Sequence, residues 1–192
     1  MRIVDRIVQK LGPVLRPFHA GEAKLASHVE GFPVAPTISV TSDAFTAGET
    51  LPRRYTQQGD DVSPPLRWDD VPLGTREVAV LCEDPDAPAT RPFAHWVVCG
   101  LAPSTTALPE NIDKVVAPRE ERLQQGTNSA HRIGYLGAAP PPGHGTHHYH
   151  FQVFALDAPL RFDHAPSRDD LVDAMRGHVI AWGDLVGTFE RN

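Results

Sequence analysis

No apolar run in this 192-residue chain approaches the roughly 20 residues that a membrane-spanning helix requires. Cysteine is almost missing. Cys82 and Cys99 are too few for a disulfide scaffold, and each lies in an apolar run that reads as strand. Both are expected as buried free thiols, with a bridge across neighbouring strands as the alternative. Positive charge is also scarce: 18 Lys+Arg against 24 Asp+Glu give a formal net charge of −6, and no basic stretch interleaved with aromatics offers a nucleic-acid face. Internal repeats and low-complexity tails are absent. Arg2, Asp5, Arg6 and Lys10 interrupt the N-terminal apolar positions, so that segment does not read as a secretory leader. The expectation is a cytoplasmic protein with no membrane span and no nucleic-acid partner, built around a single domain.

What is present is punctuation. Apolar residues at 3, 4, 7, 8 and 11 predict a short amphipathic helix, with Gly12-Pro13 read as its stop. A Pro- and Gly-broken connector then runs over the domain surface to residue 36. Residues 37–192 change character. Short apolar runs over 38–41, 77–82, 95–99 and 149–156 predict strands, and Leu185 to Phe189 reads as a closing strand. One helix is predicted near the end, from a capping-box start at Ser167 and Asp170, with Leu171, Ala174, Met175, His178 and Trp182 on one face up to Gly183. The fold class is mainly β (α+β): an antiparallel β-sandwich with a few peripheral helices.

The chemistry concentrates at strand mouths. Alternation puts Asp84 on the face of Val78, Val80 and Cys82, while a turn role for Asp84 or Asp86 stays open. His95 falls on the face of Val97 and Cys99. His147 and Tyr149 share a face with Phe151 and Val153, leaving His148 and His150 toward solvent. The stretch from Gly134 to Phe151, with Pro140 to Pro142 between glycines, reads as a rigid pocket lip. His144 and His147 could reach one metal ion across the turn, but no other ligand accompanies them at a metal-site spacing, and no metal site is expected. No serine stands in a G-x-S-x-G elbow and neither cysteine lies beside a histidine at a helix start, so nucleophilic catalysis lacks its central group.

These motifs together resemble the phosphatidylethanolamine-binding protein (PEBP) family, in its bacterial and archaeal Raf-kinase-inhibitor-like branch. The matching pieces are Tyr55-Thr56, Ser63 to Trp68, Asp84-Pro85-Asp86-Ala87-Pro88, Phe93 to Val98, Leu108-Pro109-Glu110, Gly126 to Ser129 and the Gly134 to Tyr149 stretch. The resemblance implies a PEBP-type β-sandwich with a small anion pocket formed by Asp84, Pro88, His95, Ala139, His147 and Tyr149. It also implies a cis Ala87-Pro88 bond, a homodimer, and a non-catalytic role with no cofactor. The expected ligand is a small phosphate compound or phospholipid head group, and the expected protein partner a kinase or protease that it modulates. Departures are Asp61 in place of a usual asparagine, Ala138 and Ala139 in the lip, and His148 in place of a frequent arginine. With imidazole N–H groups as donors, affinity for phosphate monoesters should rise as pH falls through about 6.5. Two competing readings are a hydrolase or lyase using the Asp/His cluster, and an interaction module with a vestigial pocket and a binding N-terminal helix.

Overall fold

The computed structural model describes residues 12–119 and 122–191, so the helix predicted over 3–11 lies outside the described residues. Strands β3 (Glu77–Asp84), β4 (Phe93–Leu101), β6 (Gln124–Gln125), β7 (His147–Leu156) and β8 (Val179–Phe189) form a five-stranded sheet in the order β6-β4-β3-β7-β8. Three shorter strands, β1 (Ser39–Thr41), β2 (Leu66–Asp69) and β5 (Ala107–Leu108), form a second sheet in the order β1-β2-β5. Every strand pairing within the two sheets is antiparallel. The predicted mainly-β class with two antiparallel sheets and few helices is what the structure shows.

One core lies between the sheets, where Val40, Leu66 and Trp68 meet Val78, Val80, Trp96, Phe151 and Leu185. The opposite face of the large sheet is buried as well. Ala79, Leu81, Val97, Phe154 and Leu156 there pack under Ala26, Phe32, Leu171, Val172 and Met175. A strand covered on both sides needs no polar alternation, which is why β3 is buried at all eight of its positions. Cys82 belongs to the inner cluster and Cys99 to the outer one, so the two free thiols face away from each other.

Four expectations are revised, the first two by burial of this second face. The connector does not merely lie on the surface. Its Ala26 N–H donates to the Glu83 carboxylate (2.8 Å), its Ser27 N–H to Gln152 Oε1 (3.0 Å), and its Pro33 carbonyl accepts from the Trp182 indole (2.7 Å). His150, placed in solvent by strand alternation, is therefore buried and bonds Asp184 at 2.7 Å, whereas His148 remains half-exposed. The predicted helix is shorter than its apolar stripe. Ser167 and Asp170 form the expected capping box, but the helix runs only from Arg168 to Met175, and Gly177 turns the chain at φ 78°. Residues from Val179 onward join β8, with Trp182 opposite Phe154, because β7 offers an unpaired edge along its full length. At the other end, Gly12-Pro13 does not stop helical structure. Residues 12–15 form a helical turn closed by the Arg16 N–H on the Gly12 carbonyl (3.1 Å).

Glu83 organises the outer layer. Fully buried, it accepts from Ala26 N, Gln152 Nε2 (2.7 Å) and Arg168 Nε (2.7 Å), tying connector, sheet and helix to one carboxylate. Glu83→Ala removes one partner of a buried ion pair and is expected to cost about 3–5 kcal/mol in urea unfolding. Arg91→Ala, which breaks the exposed Arg91–Asp169 pair, is expected to cost less than about 1 kcal/mol.

His150 adds a pH term. Burial pulls its pKa down, but the hydrogen bond and charge of Asp184 outweigh that and leave it raised. A raised histidine stabilises the fold fully below the unfolded value of about 6.5 and loses that contribution as pH climbs through the folded value. The stability gap between the wild type and His150→Gln should accordingly shrink between about pH 6 and pH 8 in thermal melts.

Candidate functional site

β3 leads into a turn rather than continuing its ladder, and Asp84 makes that turn. Its Oδ1 accepts from the N–H groups of Asp86 (2.8 Å) and Ala87 (3.1 Å), and its Oδ2 takes Nδ1 of His147 at 2.7 Å. The turn role and the pocket role left open by the sequence are thus held by different oxygens of one carboxylate. No peptide bond among the described residues is cis, so the expected cis Ala87-Pro88 bond is not found. The Asp84 cap and the Ala89 N–H on the Ala87 carbonyl (2.7 Å) close the reversal with a trans bond.

His95 reaches the site by a route that alternation misses. Cys82 pairs with Trp96 and Glu83 with Ala94, leaving His95 as the extra residue of a β-bulge. The bulge turns His95 away from the face of Val97 and Cys99 and onto the inner face beside Trp96. Its ring stands edge-on to Tyr149 with centroids 5.1 Å apart. Leu136 fixes it from both ends: the Leu136 N–H donates to the His95 carbonyl (2.8 Å), and His95 Nδ1 donates to the Leu136 carbonyl (2.6 Å). Burial lowers the His95 pKa despite nearby Asp84. The neutral ring therefore carries its proton on Nδ1 and presents an unprotonated Nε2, an acceptor, to the cavity.

The lip is held as tightly. The Gly137 N–H donates to Asp61 Oδ1 (2.6 Å), whose other oxygen pairs with Lys114 (2.7 Å). A Cβ on Gly137 would stand 2.7 Å from the Thr56 backbone, so only glycine fits. The result is a cavity of about 210 Å³ lined by Asp84, His95, His147 and Gln57 with an apolar wall of Ala87, Phe93, Leu136, Ala139, Pro140 and Pro141.

Of the six residues singled out from the sequence, Asp84, His95, Ala139 and His147 line this cavity together. Tyr149 is buried just behind His95, and its hydroxyl has no hydrogen-bond partner among the described residues. Pro88 sits half-buried in the turn, and Ala87 takes the wall instead. Gln57, Phe93 and Leu136 were not anticipated as lining residues; they come from loops and a strand start with no pattern to mark them.

His147 carries a second surprise. Its Nε2 lies 2.7 Å from His144 Nδ1, and His144 Nε2 donates to the Leu15 carbonyl at 2.9 Å. No group of three or more His, Cys, Asp or Glu among the described residues is placed to hold a metal ion.

Comparison with known proteins agrees with this architecture. Residues 41–190 match the family model described as phosphatidylethanolamine-binding protein. A UPF0098 protein of Pyrococcus horikoshii is 42% identical over 151 residues, covering 78% of this chain and 75% of that protein. Among solved structures, a phosphatidylethanolamine-binding protein homologue of Chlamydia trachomatis superposes with a TM-score of 0.73 at 34% identity, covering 82% of this chain and all of that one. Escherichia coli YbcL, described as a member of the mammalian PEBP family, gives 0.74 at 31% identity, covering 81% and 99% of the two chains.

The His95 geometry makes a spectroscopic prediction. In histidine-ring NMR at about pH 6.5, where an unperturbed imidazole is half protonated, His95 should appear as the neutral Nδ1–H tautomer. A charged His95 ring at that pH would contradict the burial argument.

Proposed function

Since the chain belongs to the phosphatidylethanolamine-binding protein family, we propose that its cavity binds a phosphoryl group, free or on a phospholipid head group, without transforming it. The observation that carries this reading is a pair of unpartnered polar atoms, one on the cavity wall at His95 and one buried directly behind it at Tyr149. The Tyr149 hydroxyl is buried without an acceptor, and burial holds its pKa well above the ordinary phenol value, so it stays a donor. Beside it stands the open Nε2 of His95. An ionised phosphoryl oxygen accepts from Tyr149, and His95 takes up a proton from solvent at Nε2 and donates it, as imidazolium, to a second phosphoryl oxygen. The apolar wall suits the carbon substituent of a phosphomonoester or head group.

The competing hydrolase reading would need a nucleophile. Serine, threonine, cysteine and lysine are absent from the described lining residues, and burial raises the thiol of Cys82 well above its ordinary value. Binding without turnover is the reading the chemistry favours. A homodimer, a cytoplasmic setting and the modulation of a kinase or protease belong to this proposal as expectations of the family resemblance.

Because binding adds a proton to His95, affinity for glycerophosphoethanolamine, a phosphodiester whose own charge is constant in this range, should climb as pH falls below about 6.5, toward the lowered His95 pKa. Calorimetry in buffers of different ionisation enthalpy should detect the proton uptake. His95→Ala and Tyr149→Phe are each expected to weaken binding about tenfold or more, as loss of a hydrogen bond to a charged ligand does. Glycerophosphoethanolamine binding more tightly than inorganic phosphate would assign the site to head groups. Pocket variants that bind as the wild type does would remove the proposal.

A further inference from the structure

We propose that the segment 12–19 is a strap that keeps the pocket in a low-affinity state by occupying, through His144, the one imidazole nitrogen of His147 that could serve a ligand. The proposal rests on the anion reading of the same cavity. His147 lines that cavity, yet its Nδ1 is committed to Asp84 and its Nε2 to His144 Nδ1. His144 does not stand there by its own loop alone. Its far nitrogen donates to the Leu15 carbonyl, so the strap completes the file from Leu15 through His144 and His147 to Asp84.

Further contacts seat the strap on both segments that frame the cavity. On the lip side, Arg16 Nε donates to the Gly143 carbonyl (2.9 Å), and Gly12 packs so closely on Pro142 that a Cβ would fall 1.9 Å from the Pro142 oxygen. On the turn side, the Ala20 N–H donates to the Ala87 carbonyl (3.1 Å) and the Gly21 N–H to the Pro85 carbonyl (2.9 Å). His19 Nδ1 lies 3.2 Å from the Asp86 carbonyl, and its ring packs on His144 with centroids 5.3 Å apart.

This docking is held by polar contacts and has little apolar anchorage. Of its large apolar residues, Val14 and Phe18 are 65% and 60% exposed, and Leu15 alone is partly buried. A strap with few buried apolar contacts belongs to the low-stability end of a structure and opens locally without global unfolding. Once it lifts, His144 loses its outer acceptor, and His147 Nε2 becomes available as a third contact for the phosphoryl group beside Tyr149 and His95. Strap and ligand compete for one nitrogen, so each must weaken the other by the same factor.

The test uses the full chain with Gly12→Ala, which unseats the strap by its own clash, and Arg16→Ala, which removes an exposed side chain and its lip contact. Near-ultraviolet circular dichroism confirms that both variants keep the fold. In the wild type, a 15N–15N coupling across the His144–His147 hydrogen bond should be visible, and it should weaken or vanish in both variants. Inorganic phosphate should then bind the variants about tenfold more tightly, the gain of one hydrogen bond to a charged group. Unchanged or weaker phosphate binding in variants that have lost the coupling overturns the proposal. So does a coupling that survives Gly12→Ala, because His144 would then be held without the strap. Absence of phosphate binding in all three proteins, with the coupling lost in the variants, overturns the anion reading instead and takes the regulatory role with it.

Discussion

Two neighbouring carboxylates at the end of β3 point to opposite faces of one sheet, and the organisation of the molecule depends on that pair. Glu83 faces the outer layer and draws the connector, Gln152 and Arg168 onto itself. Asp84 faces the inner layer, closes the turn and fixes His147. Strand geometry sends adjacent side chains to opposite faces, so neither acid can serve the other's side. Both are buried, and a buried carboxylate persists only where hydrogen bonds and opposite charge offset its lost hydration. The outer face supplies Arg168, and the inner face the Asp86 and Ala87 N–H groups and His147 as hydrogen-bond partners. The pocket and its supporting layer are thus two answers to one electrostatic problem at one strand end.

Period-two reading of the sequence located Asp84, His147 and Tyr149 on the inner face, because β3 and β7 keep regular register with each other from Glu77 to Glu83. It failed for His95, where a bulge supplies one extra residue to β4; nothing local in Phe93 to Val97 encodes a pairing irregularity set by the partner strand. It failed for His150 for a different reason. A histidine on the polar side of an amphipathic strand looks solvated until one knows that a segment more than a hundred residues earlier lies over it, and that covering is a tertiary fact. The helix stripe from Leu171 to Trp182 was broken by Gly177 and by the edge that β7 offered to Val179 onward, so long-range pairing overrode a local period.

The identities of the pocket residues were legible, but their proton roles were not. An imidazole in a sequence can be a donor, an acceptor or a cation, and the partner of its other nitrogen decides which. His95 is made an acceptor by the Leu136 carbonyl, and His147 is closed on both sides by Asp84 and His144. Two histidines that look equivalent as anion ligands are therefore unlike: one waits for a proton and the other has no free nitrogen.

That inequality is what weighs, in the proposed reading, for recognition over chemistry. Acid–base turnover needs a group that gains and loses a proton freely within reach of the reacting atom. In the Asp84–His147–His144 file, both ring nitrogens of His147 are already hydrogen-bonded, so neither is open to a ligand while the file stands. Tyr149 is held protonated, and only His95 Nε2 can take up a proton at modest cost. On the proposed reading, one exchangeable proton beside one fixed donor registers an anion's arrival.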